Sequence, residues 1–176
     1  MSLCLDKYSR FIPRSVSVAN WKDGSITGKT FKSFKASGNR KTSDPGDVNL
    51  DMTLLGDPDA RSVLGNVKVA GLLSGRWIVR GVGGAVSAGE IDSSFHASFS
   101  GDVKGISTKG DAGGFLAAIN FKKLNFKGDV SNLKVFGGTD LGDDGEFGGT
   151  GEDADNYQAG MVGSFKIGGA ADDLQL

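Results

Sequence analysis

The chain has 176 residues, enough for one domain with a sizeable core; 38% are apolar, 29 are glycine and three are proline. Glycine at about twice its usual share with so little proline suits many tight turns between strands that keep their N–H donors, and the lack of a Gly-X-Y period excludes collagen. The net charge of -1 conceals a gradient: residues 1–41 carry nine Lys/Arg against Asp6 and Asp23, a net +7, while residues 137–176 carry Lys166 against nine acids, a net -8. Such a gradient can orient like molecules head to tail or steer a charged partner; it also fits two ordinary solvated surfaces.

In chain order, residues 1–14 show no repeat, and Pro13 ends an irregular or capping segment. Ser15–Ala19 alternates through Val16 and Val18, and Gly24–Gly28 reads as a second short strand, so residues 1–30 form a cap and a degenerate first turn. From Phe31 onward a pattern recurs six times: apolar-x-x-apolar-x-(apolar or small)-x-Gly. The copies are Phe31-Phe34-Ala36-Gly38, Leu64-Val67-Val69-Gly71, Val82-Ala85-Ser87-Gly89, Val103-Ile106-Thr108-Gly110, Phe121-Leu124-Phe126-Gly128 and Val162-Phe165-Ile167-Gly169. Gly71, Gly89, Gly110 and Gly128 are 18, 21 and 18 residues apart. A period near twenty, made of short alternating strands closed by glycine, predicts an all-β, single-stranded parallel β-helix (a β-solenoid) with 18–21 residues per turn. One such turn carries too few inward side chains to offset the ordering of its backbone, so each turn depends on its neighbours.

The regular turns span 31–136, with a first insertion at 39–63. Inside it, Val48-x-Leu50-x-Met52-x-Leu54 alternates as one strand, bracketed by turns at Ser43–Gly46 and Asp57–Asp59. A second strand follows each motif glycine and places Trp77, Phe95, Phe115 and Leu133 in one inward column, with Val79, Ala97, Ala117 and Val135 in the next. The first strand adds Val67, Ala85, Ile106 and Leu124, with Val69, Ser87, Thr108 and Phe126 beside them. Val86 and Ile78 then fall outward, against their character. Val67, Leu73, Val79, Ala85, Ile91, Ala97 and Val103 also form a period-six series of the left-handed kind. It fails at Lys109 and Lys127 where the period-18 frame continues, which favours a right-handed coil. A second insertion, 137–160, precedes the last, shortened turn at 161–176.

That insertion (GGTDLGDDGEFGGTGEDADN over 137–156) is the leading candidate site. Asp140, Asp143, Asp144, Glu146, Glu152, Asp153 and Asp155 supply the oxygen ligands calcium prefers, and Gly148–Asp153 matches the start of the G-G-x-G-x-D-x-U-x calcium repeat. Asp155 occupies the apolar position of that repeat, and only one copy is present. Calcium is therefore the one cofactor to consider, against a plain solvated loop. His96, the sole histidine, should point to solvent, and without a partner His or Cys neither zinc nor triad chemistry has its parts. No residue is assigned a catalytic role, and the chain is not expected to be an enzyme. Lys104, Lys109, Lys122, Lys123 and Lys127 form a basic stripe suited either to an anionic polysaccharide or simply to keeping strands from aggregating. Asp102, Asp111 and Asp129 read as turn-formers.

The runs LGNVKVAGLLSGRWIVRGVGGAVSAGEI, GDVKGISTKGDAGG and GTDLGDDGEFGGTGEDADNYQAGMVGSFKIGGA, covering about residues 31–171, resemble the β-strand-repeat regions of large bacterial surface and extracellular adhesin-like proteins, as in planctomycetes. The resemblance implies a structural or adhesive module, extracellular or on the cell surface, with glycans or other cell-surface components as partners. A bactofilin-like cytoskeletal polymer is a second reading; it associates through its ends and is cytoplasmic. A polysaccharide-binding or polysaccharide-degrading β-helix protein is a third. Neither nucleic acid nor membrane insertion is expected: no run approaches the ~18 apolar residues of a membrane span. The opening MSLCLDKYSR lacks a signal-peptide core, so an exported protein would take its signal from elsewhere. Cys4, the only cysteine, forms no intrachain disulfide.

Overall fold

The computed structural model describes residues 3–4, 14–56 and 61–176. Pro13 and the turn expected at Asp57–Asp59 lie outside the described residues. The protein is all-β. Its strands form one sheet of nine and one of eleven, both parallel, with a separate antiparallel pair. Each strand bonds to the equivalent strand one circuit later, so the chain is laid down in seven successive rungs.

The nine-stranded sheet takes Ser15–Val18, Phe31–Ala36, Leu64–Val69, Gly83–Ala88 and Val103–Thr108, then the broken segments 120–126 and 161–167. Val16, Phe34, Val67, Val86, Ile106, Leu124 and Phe165 stand opposite one another in register along it. The eleven-stranded sheet has two runs. One is Ser25–Gly28, Asp51–Leu54, Arg76–Val79, His96–Phe99, Ala112–Ala118, Val130–Gly137 and Ala171–Gln175, with Leu3–Cys4 pairing at its outer edge. The other is the short strands Val48–Asn49, Leu72–Ser74 and Glu90–Ile91. Ala112–Ala118 joins them, pairing at Ala112 with Ile91 and at Phe115–Ala117 with His96–Ser98, so this sheet curls into a half-barrel. Ile26, Met52, Trp77, Ala97, Leu116 and Val135 form its central inward column. The enclosed core is apolar; Trp77, Phe31, Phe34, Phe95, Phe99, Phe121 and Phe126 are all fully buried.

Three expectations about register are corrected. Val86, not Ala85, fills the inward column, and Ala88 rather than Ser87 follows it; Val86 is 2% exposed. The corner after Ala88 is one residue shorter than the corner after Val69, because Glu90 pairs with Leu72. An alignment on Gly89 therefore slips by one, and a one-residue slip turns every side chain to the other face. Trp77, Phe95, Phe115 and Leu133 do not form one column either. Ala97 and Leu116 lie over Trp77, Leu133 lies over Gly114, and Phe115 faces outward. The cause is again corner length: Asp92–His96 lengthens one corner, and Ala112–Gly114 contains a bulge. Gly114 is required there, with φ +97° and a position where a Cβ would stand 2.3 Å from the Phe95 carbonyl oxygen. Finally, residues 48–54 are not outside the coil. They split at buried Leu50 into two strands that both belong to the second rung.

Carboxylates and amides stitch the corners. Asp47 accepts from the Leu72 N–H and Asp51 from the Arg76 N–H, each at 2.8 Å. Asp111 accepts from the Asp129 N–H (2.8 Å), and Asp129 in turn from the Ala170 N–H (2.7 Å). Asn120 donates to Asp102 and accepts from the Met161 N–H. Asp102, Asp111 and Asp129, expected as turn-formers, thus accept these bonds from the following circuit.

Candidate functional site

The first part of the acidic insertion packs on the protein, whereas residues 148–154 and 156–160 are exposed. The insertion leaves the sixth rung at Gly137 and is closed at its base by the antiparallel pair Thr139–Asp140 and Asn156–Tyr157. It then folds back as a strap across the outer surface of the half-barrel sheet, with Leu141 buried beneath it. Two arginines spaced along one outward edge receive it. Arg80 binds Asp140 through Nη1 at 2.8 Å and Asp143 through Nε at 2.9 Å, and donates to the Gly142 carbonyl. Arg76 binds Glu146 at 2.8 Å and donates to the Asp144 carbonyl. The Arg76 pair is half exposed and contributes little, about 0–1 kcal/mol; the Arg80 cluster is more enclosed and forked, and holds the strap more firmly.

Between the charges lies an aromatic seat. The Phe147 ring meets Phe136 and Phe115 edge-on, at centroid separations of 5.0 and 5.7 Å. His96 stacks on Phe115 at 4.3 Å and its Nε2 lies 2.8 Å from the Gly145 carbonyl oxygen. A carbonyl can only accept, so Nε2 carries the proton. His96 does point outward, as the alternation requires, but under the strap and not into solvent.

The seven candidate ligands are thereby divided. Asp140, Asp143 and Glu146 face arginines. Asp144 closes a local turn by accepting from the Glu146 N–H. The Glu152 carbonyl accepts from the Asp143 N–H, and Asp153 packs against Gly142 and Gly149 in a single 3-10 turn, Gly151–Asp153. Asp155 accepts from the Gly148 N–H at 2.8 Å and from the Tyr157 hydroxyl at 2.6 Å, which pushes the Tyr157 pKa upward. Among the described residues, no three acidic, His or Cys side chains converge as a metal-holding group. Arg76, Arg80 and the Phe115–Phe136–Phe147 cluster are what sequence reasoning missed. The signal was present: in Arg76-Trp-Ile-Val-Arg80 the arginines share Ile78's outward face, and net -8 downstream needed a counterpart.

The outer surface of the nine-stranded sheet carries the opposite charge. Lys104 lies opposite Lys122, and Lys109 opposite Lys127, by the register Val103–Phe121 and Thr108–Phe126. These rows flank a shallow trough of about 450 Å³ whose floor includes Ser87, Gly105, Ser107 and Asn125. The five lysines of the expected stripe are all exposed on this surface. The acids behind the -8 are not gathered at one end: Asp140, Asp143 and Glu146 are held against Arg80 and Arg76, while Asp172 and Asp173 stand on the last rung.

No family model matches the chain, and no curated protein or solved structure matches it either. Among the described residues no helix is long and apolar enough to cross a membrane.

Proposed function

We propose that the chain is a right-handed, single-stranded parallel β-helix serving as a structural or adhesive module of a bacterial surface or extracellular protein. The observation that carries this is the use made of the reactive side chains. His96, Arg76, Arg80 and the corner aspartates, the groups from which chemistry would be built, are engaged in tying one rung or loop to another. The right hand follows from the strong bias of parallel strand crossovers. In the producing organism, proteolytic shaving of intact cells removes the chain if it is displayed; complete protection would sink the assignment. The coil is tested by paired cysteines in a Cys4→Ser background. Ser87→Cys with Ser107→Cys, registered neighbours, should oxidise to a disulfide, whereas Ser87→Cys with Asn125→Cys, two rungs apart, should not.

A second reading, an end-to-end polymer of the bactofilin kind, is favoured by one feature. Among the described residues Phe165–Ile167 and Ala171–Gln175 pair on one side only, which leaves a strand edge that a second copy would satisfy. Concentration-dependent filaments in electron microscopy would establish it, and a monomer at every concentration would remove it.

A further inference from the structure

We propose that the trough on the nine-stranded sheet binds a linear acidic polysaccharide, carboxylated or sulfated. The inference rests on the adhesive reading above and gives it a partner.

Segments 15–18, 31–36, 64–69, 83–88, 103–108, 120–126 and 161–167 make up this sheet, and not one Asp or Glu occurs in them. They contain Lys32, Lys35, Lys68, Lys104, Lys122, Lys123 and Lys166, and Lys109 and Lys127 follow directly. All nine are exposed, and among the described residues none is in an ion pair. The contrast with the neighbouring sheet is chemical: there the outward Arg76 and Arg80 each face a carboxylate, here nine ammonium groups have none among the described residues. Lys104 over Lys122 and Lys109 over Lys127 set like-charged residues on neighbouring backbones that run about 4.8 Å apart. That arrangement repels itself, and a polyanion laid along it relieves the repulsion and releases counterions.

The floor identifies which polyanion. Ser87, Ser107 and Asn125 offer hydroxyl and amide groups between the lysine rows, and Ala85 and Gly105 keep the surface open to a ring lying flat. The trough volume falls within the range of small-ligand sites. A nucleic acid would ask for something else. Of the aromatic residues of this sheet, Phe31, Phe34, Phe121 and Phe126 are buried on its inner side and the half-buried Phe165 packs edge-on to Phe126 against the same core, so none lies on the lysine face to stack a base. Every cation within the strand segments is a lysine, with Arg14 directly before the first of them; lysines are point charges lacking the planar fork with which arginine grips phosphate. Sugar hydroxyls with regularly spaced carboxylates or sulfates meet both features.

The test measures binding of the intact chain to polygalacturonate and to dextran sulfate at about 50 and about 300 mM NaCl, with neutral dextran and oligothymidylate alongside. One or both acidic polysaccharides should bind, more weakly at the higher salt, and which of them does so distinguishes carboxylate from sulfate. Replacing Lys104, Lys109, Lys123 and Lys127 together by Gln should weaken that binding by about tenfold or more, whereas Lys22→Gln with Lys41→Gln, off this sheet, should leave it unchanged. No binding of either polysaccharide at low salt, binding undiminished in the fourfold variant, or tighter binding of oligothymidylate would overturn the proposal. The Ser87→Cys, Ser107→Cys disulfide separates the two levels. If it forms and no polyanion binds, the ligand site falls while the coil stands; if it does not form, the coil falls as well.

Discussion

The two large sheets share an interior and differ outside. On the half-barrel sheet, Arg76, Arg80, His96 and Phe115 project outward and are roofed by the strap, which returns an acid, a carbonyl or a ring to each. On the nine-stranded sheet the outward residues are mostly Lys, Ser, Asn and Gly, and among the described residues nothing covers them. Inward positions along both sheets obey the same rule of stacked apolar columns. The difference teaches that the repeat specifies only what is inside: the outer surface of each sheet is free to become either a sealed seam or an open face.

The largest effects should come from the shared interior. Trp77→Ala removes a fully buried ring that packs edge-on to Phe95 and donates to the Leu50 carbonyl, and should cost about 3–5 kcal/mol in denaturant unfolding. Leu124→Ala, under the lysine face, should cost about 2–5 kcal/mol, so the interior would be shown indifferent to what lies outside it. A loss confined to the strap side would break the comparison. Next comes the seam: Arg80→Ala strands Asp140 and Asp143 and should cost about 1–3 kcal/mol, with hydrogen exchange accelerated over residues 139–147 before any other segment. Uniform acceleration would mean that the strap is no separate unit. Phe147→Ala, a half-exposed ring seated on two others, should cost about 0.5–1.5 kcal/mol with the same local signature.

Smaller still is the acid response of one corner. Asp92 accepts from the Ser94 side chain and backbone N–H, and these bonds hold its carboxyl below the usual carboxylate range. A depressed folded-state value means that its contribution is present above the unfolded-state pKa and disappears as pH falls through the folded one. Asp92→Asn keeps an acceptor without the titration, so its melting temperature should decline less than the parent's on acidification; equal declines would count against the assignment. Lys123→Ala should fall within about 0.5 kcal/mol of the parent, since on the open face no folded contact depends on that charge.

How much was legible follows from where spacing is fixed. Within the motif strands the burial pattern recurs strictly from rung to rung, with two outward or half-buried residues between its first two apolar positions, so Phe34, Val67, Ile106 and Leu124 could be aligned from their letters alone. Corners are not strict. The shortened corner after Ala88 hid Val86, and the bulge at Gly114 hid the outward turn of Phe115, because a glycine-anchored alignment has no way to count corner residues. The seven acids were legible as a group but not their destination. Pairing Asp140 with Arg80 crosses some sixty residues of sequence, and no local pattern encodes a contact of that reach.

Four corner bonds to side-chain acceptors share a direction, while backbone bonds beside them (Ile91 N–H to Asp111, Ala112 N–H to Asp129, Val130 N–H to Ala170) run the other way. At Asp47 to Leu72, Asp111 to Asp129, Asn120 to Met161 and Asp129 to Ala170, the acceptor belongs to the earlier circuit and the N–H to the later one. Each circuit thus offers its successor fixed acceptors and in turn holds N–H groups that only the successor's carbonyls satisfy. A circuit is complete only when the next has been laid against it, so its stability is shared between neighbours.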